Sequence, residues 1–166
     1  MNKTSHVDLA ELTELAHIIA EADGPEPVFA AVAEAANRHI GHKLFTIMAF
    51  DAASMRVQRL YSNNPEAYPP GGAKAKRDTE WSRHVLEQGS PFIGHSAEDI
   101  RANFDDHDVI FGLGLESILN MPVRLQGKTI GTMNLLHEAA FYDTSDLVWG
   151  SFLAAQLAGS LSLVRQ

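Results

Sequence analysis

Two long, largely apolar stretches, Ser117–Leu125 and Lys128–His137, are separated only by Gln126-Gly127. A two-residue connection ending in glycine predicts a tight β-hairpin. No other segment constrains the fold as much, because hairpin pairing makes the sheet antiparallel. Lys43–Asp51 (KLFTIMAFD) is apolar at both alternating sets of positions, as expected of a central strand covered on both sides. Met55–Ser62 follows as a second strand after a short Ala-Ala-Ser turn, and Pro91–Gly94 reads as a brief further one.

Helices frame these strands. Residues 7–22 carry Leu9, Leu12, Leu15, Ile18 and Ile19 at helical spacing and stop at Asp23-Gly24-Pro25. Glu26–Ile40 reads as a second helix, with Gly41 as its C-cap. Asp78 or Thr79 can cap a short helix running through Gln88, and Ser96 with Asp99 resembles a capping box. Asp105–Gly112 is a further short helix, and a last one runs from Thr144 to the end. Asn63–Asp78, with three prolines and adjacent glycines, is expected to be a long irregular loop. Hairpin pairing with segregated helices defines an α+β domain.

Composition narrows the chemistry. The 166 residues include no cysteine, so disulfides, thiolate nucleophiles and cysteine-held metals are excluded. The net charge of −8 disfavours nucleic acid, and the basic group Lys74, Lys76, Arg77 and Arg83 is expected to be solvated surface. Acidic residues interrupt the N-terminal stretch where a signal peptide needs an apolar run, which predicts a cytoplasmic protein. Leu147–Val164 is uncharged, but its serines, glycines and Gln156 fit a buried helix better than a membrane span. The eight histidines show no metal-ligand spacing, and Asp105, Asp106 and Asp108 around His107 suit a solvated helix start. Gly112-Leu-Gly114 leads into a strand instead of a helix, so it lacks the setting of a dinucleotide fingerprint, and no Gly-x-Ser-x-Gly elbow exists. No cofactor is expected.

Several segments together resemble the GAF domain family. They are Gly114-Leu-Glu-Ser117-Ile-Leu-Asn120-Met-Pro122-Val, Gly127-Lys-Thr-Ile130-Gly131-Thr-Met-Asn134-Leu-Leu, Phe141 with Asp146 before the last helix, and Trp81, Val85, Leu86, Gly89 and Pro91. The resemblance covers about residues 25–164. It implies a PAS-like antiparallel sheet of about six strands flanked by helices, with a ligand pocket between the sheet and the middle third of the chain. It also implies a non-catalytic sensor whose residues 1–24 form a dimerisation helix beside a domain at 25–166. No output domain is recognisable, so a separate output protein is the implied partner. Asn134 is followed by Leu135, and Phe141 by Ser145-Asp146, so the lysine and glutamate of cyclic-nucleotide-binding members are missing. Absence of cysteine likewise removes the family's thiol-dependent reductases and cysteine-linked bilins.

The candidate ligand contacts are Tyr61, Trp81, Phe111, Ser117, Asn134 and His137, polar or aromatic groups set in or beside apolar strands. An unbroken hairpin register puts Asn120 opposite Met133. Ser117 and Asn134 then share one face, and Asn120 and His137 the other. A bulge at Pro122 would shift that register. Gly150, Ala154, Ala158 and Ser162, with Ser151, Ala155 and Gly159, form rows of small residues that let a helix approach, either the first helix or one from a second copy. A homodimer through the terminal helices is expected, and a ligand-free dimerisation or adaptor domain is the alternative function.

Overall fold

The computed structural model describes residues 8–76 and 78–164. Helices α1 (Leu9–Glu21) and α2 (Pro25–His39) lead into strands β1 (Leu44–Asp51), β2 (Arg56–Ser62) and β3 (Gly71–Ala75). A π-helical segment (Ser82–Glu87), β4 (Phe92–Gly94), α3 (Ala97–Asn103) and α4 (His107–Gly112) form the middle third. The hairpin β5 (Ser117–Leu125) and β6 (Lys128–His137) precedes α5 (Leu147–Gln156) and α6 (Ala158–Val164). The strands make one six-stranded sheet in the order β3-β2-β1-β6-β5-β4, with every neighbouring pair antiparallel.

The α+β reading and both early strands agree with the sequence expectation. Gly41, at φ +98°, ends α2 by donating its N–H to the Ala36 carbonyl, which only a residue tolerant of left-handed backbone does cheaply. Ser96 and Asp99 form the expected capping box of α3. The predicted start of the first helix at residue 7 lies outside the described residues, and Asp8 caps α1 at Ala10.

Three segments depart from expectation. Asn63–Asp78 is not wholly irregular, because Gly71–Ala75 pairs with β2 as an edge strand. Its Gly-Gly-Ala composition hides it: every residue is exposed, so no burial pattern marks it. The helix expected to run through Gln88 is widened to a π-turn, in which the Gln88 N–H reaches the Arg83 carbonyl five residues back. The last helix is broken at Leu157 and its halves meet at 41°. Among the described residues no single helix is long and apolar enough to cross a membrane.

Both faces of the sheet are covered. On one, Phe29, Val32, Leu153, Leu157 and Leu161 from the terminal helices pack with Phe45, Ile47, Leu119, Met133 and Leu135. On the other, Trp81, Val85, Ile100, Phe104 and Ile110 pack with Leu44, Phe50, Ile118 and Leu136. The small-residue row has an intramolecular reason. Gly150 sits against the Met121 thioether, and Ala154 and Ala158 are buried in the same core, while Ser151, Ala155 and Gly159 stay exposed.

Two bulges decide which side chains face which layer. In the hairpin the register shifts between Val123 and Arg124, leaving Ile130 of β6 unpaired, so Asn120 stands opposite Asn134. Pro122 itself pairs with Thr132; the extra residue is on the partner strand. Asn120 and Asn134 therefore share one face, and Ser117 and His137, which pair with each other, lie on the opposite one. This corrects the unbroken register. Between β1 and β2 the shift at Ile47/Met48 leaves Leu60 unpaired and sets Tyr61 opposite Ile47, on the face of the terminal helices.

Gly131 of β6 pairs with Ala49 of β1, beneath Leu161 of α6. A Cβ there would press into the Met48 carbonyl oxygen and the Leu161 side chain. Gly131→Ala is expected to lower unfolding free energy by about 3 kcal/mol, at the upper end of overpacking costs. A shift of the urea midpoint at unchanged slope would show it.

Candidate functional site

A cavity of about 490 Å³ opens between the face of the sheet opposite the terminal helices and the segment from Ala67 to Lys76, with α4 on the far wall. Its size falls in the usual range for small-molecule sites, roughly 300–1,000 Å³. Leu44, Ile118 and Leu136 give its floor an apolar surface, and Phe104, Val109 and Ile110 line it from the α3–α4 side. The backbone of β3 forms one side. Gly71 and Gly72, at φ +90° and +70°, keep that side free of bulky groups.

Across the floor runs a row of polar side chains from three adjacent strands. Trp81 donates its indole N–H to Asn120 Oδ1 at 2.9 Å, Asn120 donates to Asn134 Oδ1 at 2.6 Å, and Asn134 donates to Thr46 Oγ at 3.2 Å. All four residues are buried. An indole nitrogen can only donate, so Asn120 must turn its oxygen to Trp81 and its nitrogen to Asn134. Asn134 must then present oxygen to Asn120 and nitrogen to Thr46. The sense of the whole row follows from one donor-only group at its end.

Charged groups stand on the β2–β3 side. Arg59, Lys74 and Lys76 line the cavity, and the one carboxylate among the lining residues is Asp106. Asp106 accepts the Tyr68 hydroxyl at 2.9 Å, and the Arg59 guanidinium lies 4.6 Å from the centre of the Tyr68 ring. Burial, reinforced by the Asp106 charge, raises the Tyr68 phenol far above its usual range, so it stays a donor. Lys76 rests over the Trp81 ring at 5.0 Å, and burial holds its ammonium below the usual lysine range.

Of the six residues singled out from sequence, Asn134 lines this cavity. Trp81 lies directly behind the floor as the partner of Asn120, and Phe111 packs at the edge of the same cluster beneath Arg101. The other three sit elsewhere. Tyr61 meets Phe29 and Phe45 edge-on, and burial raises its phenol above the usual range. Ser117 donates to the Glu138 carbonyl at 2.7 Å, and His137 stacks on Phe141 with ring centres 3.5 Å apart.

Sequence reasoning did not bring Asn120, Thr46, Arg59, Lys76 and Asp106 together, although the tyrosines of the loop that holds Tyr68 suit the rim of a site. The unbroken register sets Asn120 on the face of His137 instead of beside Asn134. Lys74 and Lys76 were visible as a basic cluster, but their direction depends on β3, which carries no pattern. Arg77, from that cluster, lies outside the described residues.

Trp81→Phe removes the donor that polarises the row and leaves Asn120 Oδ1 buried without one. The expected loss is about 1–3 kcal/mol of unfolding free energy, the usual cost of an orphaned buried acceptor. Urea titration of the variant against the parent measures it.

Solved structures share the architecture. The GAF domain of a phosphoenolpyruvate-protein phosphotransferase from Acinetobacter superposes with a TM-score of 0.73 at 14% identity, over 95% of this chain and 94% of that one. The corresponding domain from Coxiella burnetii gives 0.74 at 15% identity, over 95% and 94%. The GAF domain of a two-component sensor histidine kinase from Bacillus halodurans gives 0.71 at 18% identity, over 87% and 97%. No curated protein matches the chain significantly. A sequence model described as "GAF domain" matches residues 23–162, most of the length, and the resemblance first carried by the hairpin and the Trp81 segment is therefore one of kinship: the chain belongs to the GAF domain family.

Proposed function

We propose that this chain is a non-catalytic sensory domain that binds a small molecule in the cavity above Asn120 and Asn134. GAF domains generally serve as small-molecule-binding sensory or regulatory modules, often beside output domains. The observation that carries the reading here is the polar row set among apolar residues on the floor of the cavity. Buried amides are costly unless used, and these two are held in one orientation by Trp81. Asn134, named from the sequence, is a direct contact in this proposal. Trp81 positions Asn120, and Phe111 supports the wall. Tyr61, Ser117 and His137 hold the helix side of the sheet.

A ligand that bridges the floor and β3 stabilises the closed edge strand, so binding and the state of the Asn63–Asp78 segment are linked. A thermal-shift screen across metabolites tests this, because a ligand at 100 times its dissociation constant adds about 2.7 kcal/mol. The expected result is a hit whose shift disappears in Val109→Trp, which fills the cavity from the exposed side of α4. A broad screen without a hit, or hits indifferent to Val109→Trp, would count against the cavity.

The second reading, self-association through the terminal helices, is favoured by a separate observation. Leu9, Val148, Phe152, Leu163 and Val164 are large, exposed and apolar, and all lie on α1, α5 or α6. A second cavity of about 500 Å³, lined by Ile19, Ala22, Val28, Leu163 and Val164, adjoins them. The domain on this reading is a dimer whose helices carry the signal. Sedimentation at micromolar concentration should give a dimer, and Val148→Asp with Leu163→Asp should give a monomer. A monomeric parent chain would reject it.

A further inference from the structure

The hydrogen-bonding side chains around the cavity are donors almost without exception. Every acceptor oxygen of the floor row is engaged: Asn120 Oδ1 by Trp81, Asn134 Oδ1 by Asn120, and Thr46 Oγ by Asn134. Each amide nitrogen makes one hydrogen bond and carries a second hydrogen with no partner among the described residues, and both amides line the cavity.

The charges agree with the donors. The protein carries a net charge of −8, yet the residues lining this cavity include three cations and one carboxylate. That carboxylate, Asp106, takes the Tyr68 hydroxyl and forms no ion pair with the cavity's cations among the described residues. Arg59 spends one nitrogen on the Pro69 carbonyl at 3.2 Å, while its Nε is shielded from water without an acceptor. The Lys76 Nζ has neither a hydrogen bond nor an ion pair among the described residues, although its backbone N–H donates to the Met55 carbonyl. Its ammonium lies over the indole whose N–H fixes Asn120, which brings a cation and the spare amide hydrogens around one side chain. Burial disfavours this half-buried ammonium more than the charges of Asp106 and Asp105 favour it, so an anion that joins it is stabilising.

We propose that the ligand of this cavity is an organic oxyanion, a carboxylate or a group of like geometry on an apolar body. Lys76 and the spare amide hydrogens of Asn120 and Asn134 take its head, and Leu44, Ile118 and Ile110 take its body. Arg59 supplies a second cation on the β2 side. The assignment rests on the reading of the cavity as the ligand site.

Two fluorescent probes with one skeleton separate the two ideas: anilinonaphthalene sulfonate and its uncharged parent, phenylnaphthylamine. The sulfonate should bind the full chain at least about tenfold more tightly, the least expected of a hydrogen bond to a charged group in a desolvated site. Lys76→Met and Arg59→Met should each weaken the sulfonate about tenfold and leave the parent compound unchanged, on the same scale of charged hydrogen bonds. Lys76→Met should also melt no lower than the unaltered protein, since burial costs this ammonium more than Asp106 and Asp105 return, which separates lost binding from lost folding. Equal affinity for both probes, or sulfonate binding indifferent to both charge variants, would overturn the oxyanion assignment. Val109→Trp and Ala67→Trp, which fill the cavity from different elements, distinguish the failures. If they abolish binding of the uncharged probe while the sulfonate has no advantage, the cavity stands as a ligand site and only the oxyanion falls. If neither probe responds to either filling variant, both fall together.

Discussion

The indole N–H of Trp81 is a donor that can never accept, and it ends in the middle of the sheet against Asn120. That single bond sets the sense of the row through Asn134 to Thr46, and with it the chemical character of the floor. Reversing any one amide would oppose two donors or two acceptors in a buried place, so the row behaves as a unit. Trp81 also fills the cluster of Phe104, Val85 and Ile100 that closes this face of the sheet. One residue therefore serves the core with its ring and the cavity with its edge.

The other face obeys a plainer rule. Terminal helices α2, α5 and α6 press onto it, α5 meeting Met121 through Gly150, while Gly131 of β6 leaves room for Leu161 of α6 and the Met48 carbonyl of β1. At the helix ends, Glu11 of α1 meets both Arg38 and His39, and His39 stacks on Trp149 at 3.7 Å, tying α1, α2 and α5 at one point. The cavity that meets the sheet lies on the opposite face, whereas the open space of the helix layer lies between the ends of the helices themselves.

Much of this order was readable from the chain itself. The hairpin showed itself through Gln126-Gly127 between two apolar runs, β1 through apolar residues on both alternating sets, and α1 and α2 through their spacing and their Gly and Pro stops. The cavity was harder for two physical reasons. A bulge is one extra residue with no signature of its own: Ile130 and Leu60 look like any apolar strand residues, yet each turns its neighbours over. Tyr61 consequently went to the helices, and Asn120 came to stand beside Asn134. A strand such as Gly71–Ala75 is made by backbone pairing alone, so nothing in its side chains announced it, and the direction taken by Lys74 and Lys76 was hidden with it.

The bulge at Ile130 has a consequence for comparison with relatives. At identities of 14–18%, superposed domains are aligned by shape more than by residue type. In a relative with the same extra residue, an alignment that keeps it matches floor to floor, and one that closes it by a single gap pairs Asn134 with a residue that faces the helices. Transfer of binding residues between this chain and another member of the family is therefore sound only when the two sheets carry their bulges at the same place. The quantity to conserve is the parity of the strand, counted from Gly127, before any side chain is compared.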